Sequence, residues 1–475
     1  MGSGQVTDWQ GKHVTVAGLG VSGIPAAKVL HGLGAAVTVV NDGDDERARA
    51  QAADLEALGI TVRLGDGATL PEGTELVVTT PGWKPDKPLF AAARSAGLEI
   101  WGDVELAWRL RGPDAAPWLA VTGTNGKTTT VQMLASILEA AGLRTAAVGN
   151  IGVSLLDVVL GDEPYDVLAV ELSSYQLHWA PSLRAHSAAV LNLAPDHLDW
   201  HGSMEAYAKD KGRVYEGNRV ACVYNVADKA TEDLVREADV EEGCRAVGFT
   251  LGTPGPSQLG VVEGILVDRA FVENRQKNAQ ELAEISDVNP PAPHNIANAL
   301  AAAALARAYG VPAAAVRDGL RAFTPDAHRI AHVADVDGVA YIDDSKATNT
   351  HAAQASLAAY ESIVWIAGGL AKGATFDELV AGAAGRLRGV VLIGADRALI
   401  REALARHAPE VPVVDLDRTD TGAMLAAVRE ARTLARTGDT VLLAPACASM
   451  DMFVNYNRRG DAFAEAVREL AATDG

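Results

Sequence analysis

The most informative motif of this chain is Trp118-Leu119-Ala120-Val121-Thr122-Gly123-Thr124-Asn125-Gly126-Lys127-Thr128. Its first five residues predict an apolar strand, and a helix is expected from about Thr128 to Ala141. In this order of strand, glycine-containing loop, Gly-Lys-Thr and helix, backbone N–H groups surround phosphate oxygens. We therefore expect a nucleotide site with Lys127 against the outer phosphates and the Thr128 hydroxyl on Mg²⁺. The strict eight-residue pattern has glycine where Val121 stands, so the loop is a shortened variant.

The chain has 475 residues and a formal net charge of −20. Because domains usually have roughly 100–200 residues, this length predicts about three of them. The negative charge argues against nucleic acid as a partner, since a polyanion would be repelled. No signal peptide is evident, and the most apolar stretch, residues 296–306, is too short to span a bilayer. We expect a cytoplasmic monomer without membrane insertion, whose three distant cysteines are buried or partly buried thiols.

Strands alternate with helices along the chain and predict an α/β fold of parallel βαβ units. We divide it into domains 1–113, 114–324 and 325–475, of which the first and third are Rossmann-like and the second is of the P-loop type. The proline-containing stretch 250–293 has no regular pattern, and no element is assigned to it. The predicted strands, besides the one above, are His13–Ala17, Ala36–Val40, Leu76–Thr80, Val167–Glu171, Ala188–Asn192, Ala340–Asp343, Ser362–Ala367, Gly389–Ile393 and Thr440–Ala444.

A second glycine pattern, Gly18-x-Gly20-x-x-Gly23, follows the first predicted strand. Together with Asp42 it matches a dinucleotide-binding fingerprint. The same glycines also suit a tight turn that lets a helix pack closely on the sheet. A third alternative is a site for another pyrophosphate, such as that of a UDP-sugar. The residues alone leave these three alternatives open.

Candidate metal ligands stand at the ends of two strands in the second domain. Glu171 closes one strand, and His197 lies just beyond the next one. The carboxyl ends of parallel strands face the ligand crevice, so both side chains are expected near the phosphates of Lys127. A carboxylate, an imidazole and phosphate oxygens make a plausible Mg²⁺ or Mn²⁺ shell. Lys211, by position alone, is expected to be a solvated helix lysine.

The third domain has polar groups at corresponding places. The run Asp343-Asp344-Ser345-Lys346-Ala347-Thr348-Asn349 follows a predicted strand, and Lys372 and Ser449 follow two others. Charge and hydroxyl donors of this kind suit a small carboxylate. An internally bridged polar loop is the alternative.

These motifs together resemble the Mur ligases of peptidoglycan synthesis, and the resemblance covers nearly the whole chain. Within that family they are most similar to the members that add D-glutamate to UDP-N-acetylmuramoyl-L-alanine. The residues that carry the resemblance are Gly123–Thr129, Gly149–Gly152, Glu171–Leu177, Asp196–Asp199, His294–Ala299, His328–Arg329, Asp344–Asn349 and Pro445–Ser449.

The resemblance implies ATP-dependent ligation through an acyl phosphate, with two Mg²⁺ ions, or Mn²⁺, at the central domain. Lys211 matches the lysine that the family carries as a carbamate, which would make it an anionic metal ligand. The metal ligands it implies are Thr128, Glu171, His197 and Lys211, and the catalytic residues are Lys127, His197, Lys211 and Lys346. The implied ATP-binding residues are Gly123, Thr124, Asn125, Gly126, Lys127, Thr128, Thr129, Asn298, Arg329 and Asp344.

For the other two substrates the resemblance implies sites in the outer domains. Asn41-Asp42-Gly43 replaces the threonine–arginine pair that the family often offers to uracil, which leaves uracil contacts in that loop open. Tyr456 stands where the family usually has phenylalanine. The implied UDP-substrate residues are Gly20, Val21, Ser22, Thr80, Pro81, Gly82, Asn150 and His197. The implied D-glutamate residues are Lys346, Thr348, Lys372, Ser449 and Tyr456.

Three rival functions differ in the residues that they explain. Another Mur ligase or a folylpolyglutamate synthase would share the phosphate loop. The glycine motif Gly18–Gly23 in the first domain, however, favours a UDP-sugar over folate as the substrate. A nicotinamide-dependent oxidoreductase would use Gly18–Gly23 and leave the lysine loop unexplained. A nucleotide-binding regulator without catalysis would not need Glu171, His197, Lys211 and Lys346.

Overall fold

The structure is a computed structural model that describes residues 8–325, 327–418, 420 and 422–473. It confirms the α/β fold and contains three sheets among these residues. By its internal contacts the chain forms two compact units. One comprises the described residues up to Val288 together with Asn295–Phe323, and the other comprises Asn289–His294 and the described residues from Thr324 onward.

The first sheet has five parallel strands in the order β3-β2-β1-β4-β5. In this doubly wound fold the order of the strands along the sheet reverses between β1 and β4, although all strands are parallel. A crevice opens at that point, at the carboxyl ends of the strands. The elements in chain order are β1 His13–Ala17, α1 Gly23–Gly32, β2 Ala36–Asn41, α2 Glu46–Glu56, β3 Thr61–Leu64, β4 Leu76–Thr79, α3 Pro88–Ser95, β5 Glu99–Gly102 and α4 Asp103–Leu110.

The second sheet has nine strands in the order β14-β13-β12-β11-β10-β9-β6-β8-β7. Its central strand β6 lies between β8 and β9, all three parallel, so their carboxyl ends meet at one edge. The elements are β6 Trp118–Thr122, α5 Lys127–Ala140, β7 Ala147–Gly149, α6 Leu155–Leu160, β8 Leu168–Glu171, α7 Ser174–His178, β9 Ser187–Val190, α8 Leu198–His201, α9 Met204–Gly212, a 3-10 turn Arg213–Tyr215, β10 Ala221–Asn225, α10 Lys229–Glu237, β11 Arg245–Phe249, β12 Gln258–Val262, β13 Ile265–Asp268, β14 Gln280–Glu284, a 3-10 turn Ile285–Asp287, α11 Pro293–Ala308 and α12 Ala313–Ala322.

The stretch 250–293, to which the sequence assigned no element, contains β12, β13 and β14. β13 pairs antiparallel with both of its neighbours and extends the parallel sheet at one edge. The strands are only four or five residues long and the turns between them irregular, so no clear period-2 pattern marks them in the sequence.

Aromatic packing joins the first two sheets into one unit. The ring centroids of Trp108 and Trp118 lie 5.0 Å apart in an edge-on contact, and those of Phe90 and Trp179 lie 5.0 Å apart. Large aromatic side chains bury much apolar area at such contacts. The first sheet is thereby held against the central sheet within the same unit.

The third sheet has six strands in the order β15-β16-β20-β17-β18-β19, parallel except for the antiparallel edge strand β15. Its elements are β15 Ala331–Val336, β16 Val339–Asp343, α13 Thr350–Ala358, β17 Ile363–Gly368, α14 Asp377–Ala383, a 3-10 turn Ala384–Arg386, β18 Leu387–Ile393, α15 Arg397–His407, β19 Val413–Asp415, α16 Ala423–Leu434, β20 Thr440–Leu443 and α17 Tyr456–Thr473. In the part of the chain that the structure describes, no helix is both long and apolar enough to cross a membrane.

Candidate functional site

The phosphate loop connects β6 to α5 and has the form that the sequence predicts. Val121 is fully buried in β6 beside Glu171 of β8, because the strand continues through Thr122 and the loop begins only at Gly123. Gly126 caps α5 with a φ of 84°, a left-handed conformation that favours glycine. Lys127 Nζ donates to the carbonyls of Gly123 and Thr124 at 2.9 Å each, so the lysine lies over the loop.

Two asparagines from other parts of the chain brace this loop. Asn192 accepts from the Asn125 N–H through Oδ1 at 2.9 Å and donates through Nδ2 to the Asn125 carbonyl at 3.1 Å. Asn298 of α11 lies against Gly126, since a Cβ there would be 2.4 Å from Asn298 Oδ1. Asn192 was missed as a site residue, although its place just beyond the end of β9 was a signal for it.

Glu171 is buried at the end of β8 and has one oxygen without a protein partner. Its side chain is 2% exposed. Oε1 accepts from Asn150 Nδ2 at 3.0 Å, and none of the described residues offers a hydrogen-bond partner to Oε2. A buried carboxylate oxygen without a hydrogen-bond donor destabilises the folded protein unless a cation or a donor binds to it. Glu171 therefore fits a metal ligand better than a capping carboxylate.

Lys211 is buried, so the expectation of a solvated helix lysine is wrong. Its residue is 2% exposed, and Nζ donates to the Gly123 carbonyl at 2.7 Å. Burial lowers the pKa of the Lys211 amine well below its usual value, and the charge of Lys127 lowers it further. α9 carries it inward because Tyr207, one turn earlier, is buried on the same face and bonds to Thr124. The amine of Lys211 thus lies beside the phosphate loop.

His197 stands at the N-terminus of α8 in a left-handed conformation, with φ of 53°. Its side chain is 46% exposed, and its ring lies 4.9 Å from that of Tyr175 between centroids. Burial lowers the pKa of His197, opposed by Asp196, and the charges of Lys127 and Lys211 lower it further. The imidazole is therefore neutral near pH 7 and able to bind a metal.

Behind these residues, Asp210 joins two histidines. Its Oδ2 lies 2.9 Å from His178 Nδ1 and 3.0 Å from His201 Nδ1, and His201 Nε2 lies 2.9 Å from Ser174 Oγ. Burial raises the pKa of Asp210, but hydrogen bonds from both histidines outweigh this effect and lower the pKa to about 2. The carboxylate is thus an acceptor only, and each Nδ1 donates to it.

A cavity of about 370 Å³ lies at the crevice of the first sheet. Of the predicted UDP-substrate residues, Gly20, Val21 and Thr80 line it, whereas Asn150 and His197 lie at the edge of the second sheet. Most residues that line the cavity were not predicted as site residues from the sequence, although Asn41 directly follows a predicted strand. The residues that line it are Gly18, Leu19, Gly20, Val21, Asn41, Asp45, Arg47, Ala48, Gln51, Thr80 and Trp83.

The glycines of this crevice serve two purposes. A Cβ at Gly23 would be 2.0 Å from the Gly18 carbonyl oxygen, so Gly23 allows the close packing of helix on sheet. Gly20 instead lines the cavity. The turn after β4 also contacts the central sheet, because Trp200 Nε1 donates to the Gly82 carbonyl at 3.2 Å. Ser22 and Pro81 flank the cavity in sequence without lining it.

In the C-terminal unit, Lys346 Nζ lies 4.0 Å from the centre of the Tyr456 ring. The backbone N–H of Thr348 donates to the Lys346 carbonyl at 2.8 Å. Ser449 is buried just beyond β20, and Lys372, beyond β17, has a φ of 50°. The strand ends are joined there, since Leu370 and Ala448 exchange two backbone hydrogen bonds of 2.9 Å. The predicted D-glutamate residues thus follow β16, β17 and β20, three adjacent strands.

A buried arginine that the sequence did not single out braces these loops. Arg459 of α17 is 1% exposed and donates to Ser345 Oγ at 3.0 Å, to the Ser345 carbonyl at 2.9 Å and to the Cys447 carbonyl at 3.1 Å. Asp344 is also buried, and it accepts from the Ile330 N–H at 3.3 Å. Burial raises the pKa of Asp344 to about 6.

Protein side chains alone do not form a complete metal site. Within the described ranges, no three His, Cys, Asp or Glu side chains form a group that could hold a metal ion. A metal at the phosphate loop would therefore need oxygen atoms from phosphate and water besides Glu171, as Mg²⁺ usually does.

Comparisons with known proteins identify the family of this chain. Residues 121–306 match the model of the Mur ligase middle domain, and residues 328–447 match that of the Mur ligase glutamate ligase domain. The UDP-N-acetylmuramoylalanine–D-glutamate ligase of Streptomyces avermitilis is 90% identical over 98% of this chain and all of its own length. The protein of that name from Thermobifida fusca is 60% identical over 97% of this chain and 99% of its own.

Solved structures show the same fold at low sequence identity. The MurF ligase of Thermotoga maritima in complex with ADP has a TM-score of 0.58 at 16% identity, covering 92% of this chain and 96% of its own. UDP-N-acetylmuramate-alanine ligase MurC from Thermotoga maritima has a TM-score of 0.55 at 18% identity, covering 96% of this chain and 99% of its own. From the sequence relatives and the two matched domains, the chain belongs to the Mur ligase family, among the UDP-N-acetylmuramoylalanine–D-glutamate ligases.

Proposed function

We propose that this chain joins the amino group of D-glutamate to the carboxylate of UDP-N-acetylmuramoyl-L-alanine, with ATP converted to ADP and phosphate. One observation supports the chemistry most directly. Glu171 Oε2, buried and without a partner, lies in the same site as the phosphate loop and the buried amine of Lys211. These features support phosphoryl transfer with a cation at this place.

The reaction has two steps. A carboxylate is a poor acceptor for an amine, so one of its oxygens first attacks the γ-phosphorus of ATP and ADP leaves. The acyl phosphate that results is attacked by the amine, which forms a tetrahedral oxyanion, loses a proton and expels phosphate. Lys127 and the N-terminus of α5 hold the phosphates and neutralise charge on the transferred group. Thr124, Asn125 and Thr129 complete the loop, with Asn298, Arg329 and Asp344 as further ATP-binding residues.

The residues present fit two divalent ions, Mg²⁺ or Mn²⁺. Thr128 and Glu171 would hold one, and His197 with a carbamate of Lys211 the other. When bound, the ions supply charge neutralisation on the phosphoryl oxygens. The lowered pKa of Lys211 supports carbamate formation, because only a neutral amine adds to carbon dioxide, forming an N–C bond and releasing a proton.

The cavity of the first sheet suits the uridine diphosphate, held at Gly20, Val21 and Thr80, with Ser22, Pro81 and Gly82 beside it. Asn150 and His197 would contact the muramoyl end. In the C-terminal unit the proposed D-glutamate residues supply two cations and a buried hydroxyl suited to its carboxylates. Cytoplasmic location and a monomeric enzyme are part of the proposal. The D-glutamate residues are Lys346, Thr348, Lys372, Ser449 and Tyr456.

Phosphate release from ATP tests the assignment of the substrates. With UDP-N-acetylmuramoyl-L-alanine present, D-glutamate is expected to stimulate release, while L-glutamate, meso-diaminopimelate and L-alanine are not. Lack of stimulation by D-glutamate would contradict the proposal.

A second experiment tests the carbamate. Lys211→Ala is expected to lose activity that bicarbonate does not restore and that short carboxylic acids restore in part, because they supply the missing anionic oxygens. Lys209→Ala, on the exposed side of the same helix, is the matched control. Full activity of Lys211→Ala without additives would overturn this role.

A further inference from the structure

Three short helices lie next to, or contain, three of the proposed metal ligands of the central domain. α7 begins three residues after Glu171, α8 begins directly after His197, and α9 contains Lys211. Movement of these helices relative to one another would change the distances between His197, Lys211 and the end of β8, where Glu171 lies. The phosphate loop contacts Lys211.

A closed triangle of hydrogen bonds connects all three segments. Ser174 and His178 belong to α7, His201 to α8 and Asp210 to α9. His201–Ser174 joins α8 to α7 at 2.9 Å, His201–Asp210 joins α8 to α9 at 3.0 Å, and His178–Asp210 joins α7 to α9 at 2.9 Å. Every pair of segments therefore has one bond of its own.

The triangle lies in the interior, where such bonds are directional and strong. The His201 side chain has no exposed surface, Asp210 has 8%, and Ser174 is 1% exposed. Because the Asp210 carboxylate accepts only, Nδ1 of His201 donates to it, and Nε2 on the other side of the ring is bonded to the Ser174 hydroxyl. The ring orientation is thus fixed from both ends.

Aromatic packing supports the same corner. The Tyr175 ring stacks on His201 at a centroid distance of 5.5 Å and an interplanar angle of 6°, and it also contacts Trp200 at 4.7 Å and His197 at 4.9 Å. A displacement of His201 would therefore reach His197 through one intervening ring.

We propose that Ser174, His178, His201 and Asp210 are positioning residues that hold Glu171, His197 and Lys211 in the geometry for metal binding. None of the four is a proposed metal ligand. Residues that orient ligands typically change metal affinity about 10- to 100-fold when they are altered. The inference rests on the proposed function, since it presupposes that a divalent ion binds here.

Binding of Mn²⁺, measured by electron paramagnetic resonance with a non-hydrolysable ATP analogue, tests the proposal without catalysis. His201→Asn keeps a donor near the Nδ1 position for Asp210 but removes the link to Ser174. Ser174→Ala removes the same bond from the other side. Each variant is expected to raise the Kd of Mn²⁺ about tenfold. The double variant is expected to match the single ones, because they delete one shared bond.

His186→Asn is the matched control. His186 Nδ1 also bonds to a serine, Ser187, at 3.1 Å, but at the start of β9, away from the carboxyl edge. It is expected to leave the Kd of Mn²⁺ unchanged. Ser174→Ala removes a single hydroxyl, so it tests the proposal even if His201→Asn does not fold.

The outcomes separate the two hypotheses. If the unaltered protein with the ATP analogue binds no Mn²⁺, the proposed function fails. If it binds Mn²⁺ and the folded Ser174 and His201 variants bind equally well, the positioning role is overturned while the function stands. Additive effects in the double variant would likewise contradict a shared bond.

Discussion

Arg459→Met is expected to lower the free energy of unfolding of the C-terminal unit by about 1.5–6 kcal/mol. Arg459 makes three hydrogen bonds of 2.9–3.1 Å from a buried guanidinium. Bonds from a charged donor contribute about 1.5–3 kcal/mol each. Burial lowers the pKa of Arg459 to about 10, which corresponds to about 3 kcal/mol against the charged form and offsets part of that gain. Methionine keeps an apolar stem of similar length but leaves two carbonyls without a donor.

Trp365 allows the unfolding of the C-terminal unit to be monitored separately from the rest of the chain. It is the only tryptophan after residue 200, it is fully buried in β17, and its Nε1 donates to the Ala444 carbonyl at 2.7 Å. In protein labelled with 5-fluorotryptophan, the ¹⁹F resonance of Trp365, assigned with Trp365→Phe, reports the urea midpoint of this unit. The comparison variant is Arg458→Met, since the Arg458 side chain is 72% exposed. Equal midpoints for the Arg458 and Arg459 variants would refute the reasoning.

Three further predictions concern single residues. Since the pKa of buried Asp344 is raised to about 6, the folded state binds this proton more tightly, so its contribution to stability is present below about pH 4 and is lost as pH rises through 6. Asp344→Asn should flatten that part of the pH dependence of the ¹⁹F midpoint, and an unchanged slope would contradict it. Gly126→Ala should weaken binding of an ATP analogue at least tenfold in calorimetry, because φ is 84° and a Cβ meets a carboxamide at 2.4 Å. Gly142→Ala, with φ of 78° and open space, should leave that affinity intact. Arg47→Ala, in the wall of the 370 Å³ cavity, should raise the Kd of UDP about three- to tenfold, as expected for loss of about 1 kcal/mol of charge interaction. Arg49→Ala, whose side chain is 66% exposed and paired with a neighbouring aspartate, should not, and equal effects of the two arginines would argue against a UDP site there.

Local sequence determined the phosphate loop and most parallel strands. The strand Trp118–Thr122 has the bounds that were predicted, and the helix after it begins one residue earlier than expected. A run of five apolar residues predicts a buried strand, and a glycine directly after it predicts a turn with a left-handed residue. Both signals lie within a few positions of each other, so they can be read from the local sequence. The short antiparallel strands within 250–293 carried no such signal.

Tertiary structure alone decided which side chains meet. Lys211 is buried because α9 packs its inward face under the phosphate loop, and nothing within its own helix shows this. Cys222 and Cys244, distant in sequence, have sulfur atoms 3.9 Å apart because β10 and β11 are neighbours. The triangle around Asp210 likewise needs three segments from separate places in the chain. Sequence specifies local conformation through neighbouring residues, whereas burial, pKa and partnership depend on contacts that exist only once the sheets have formed.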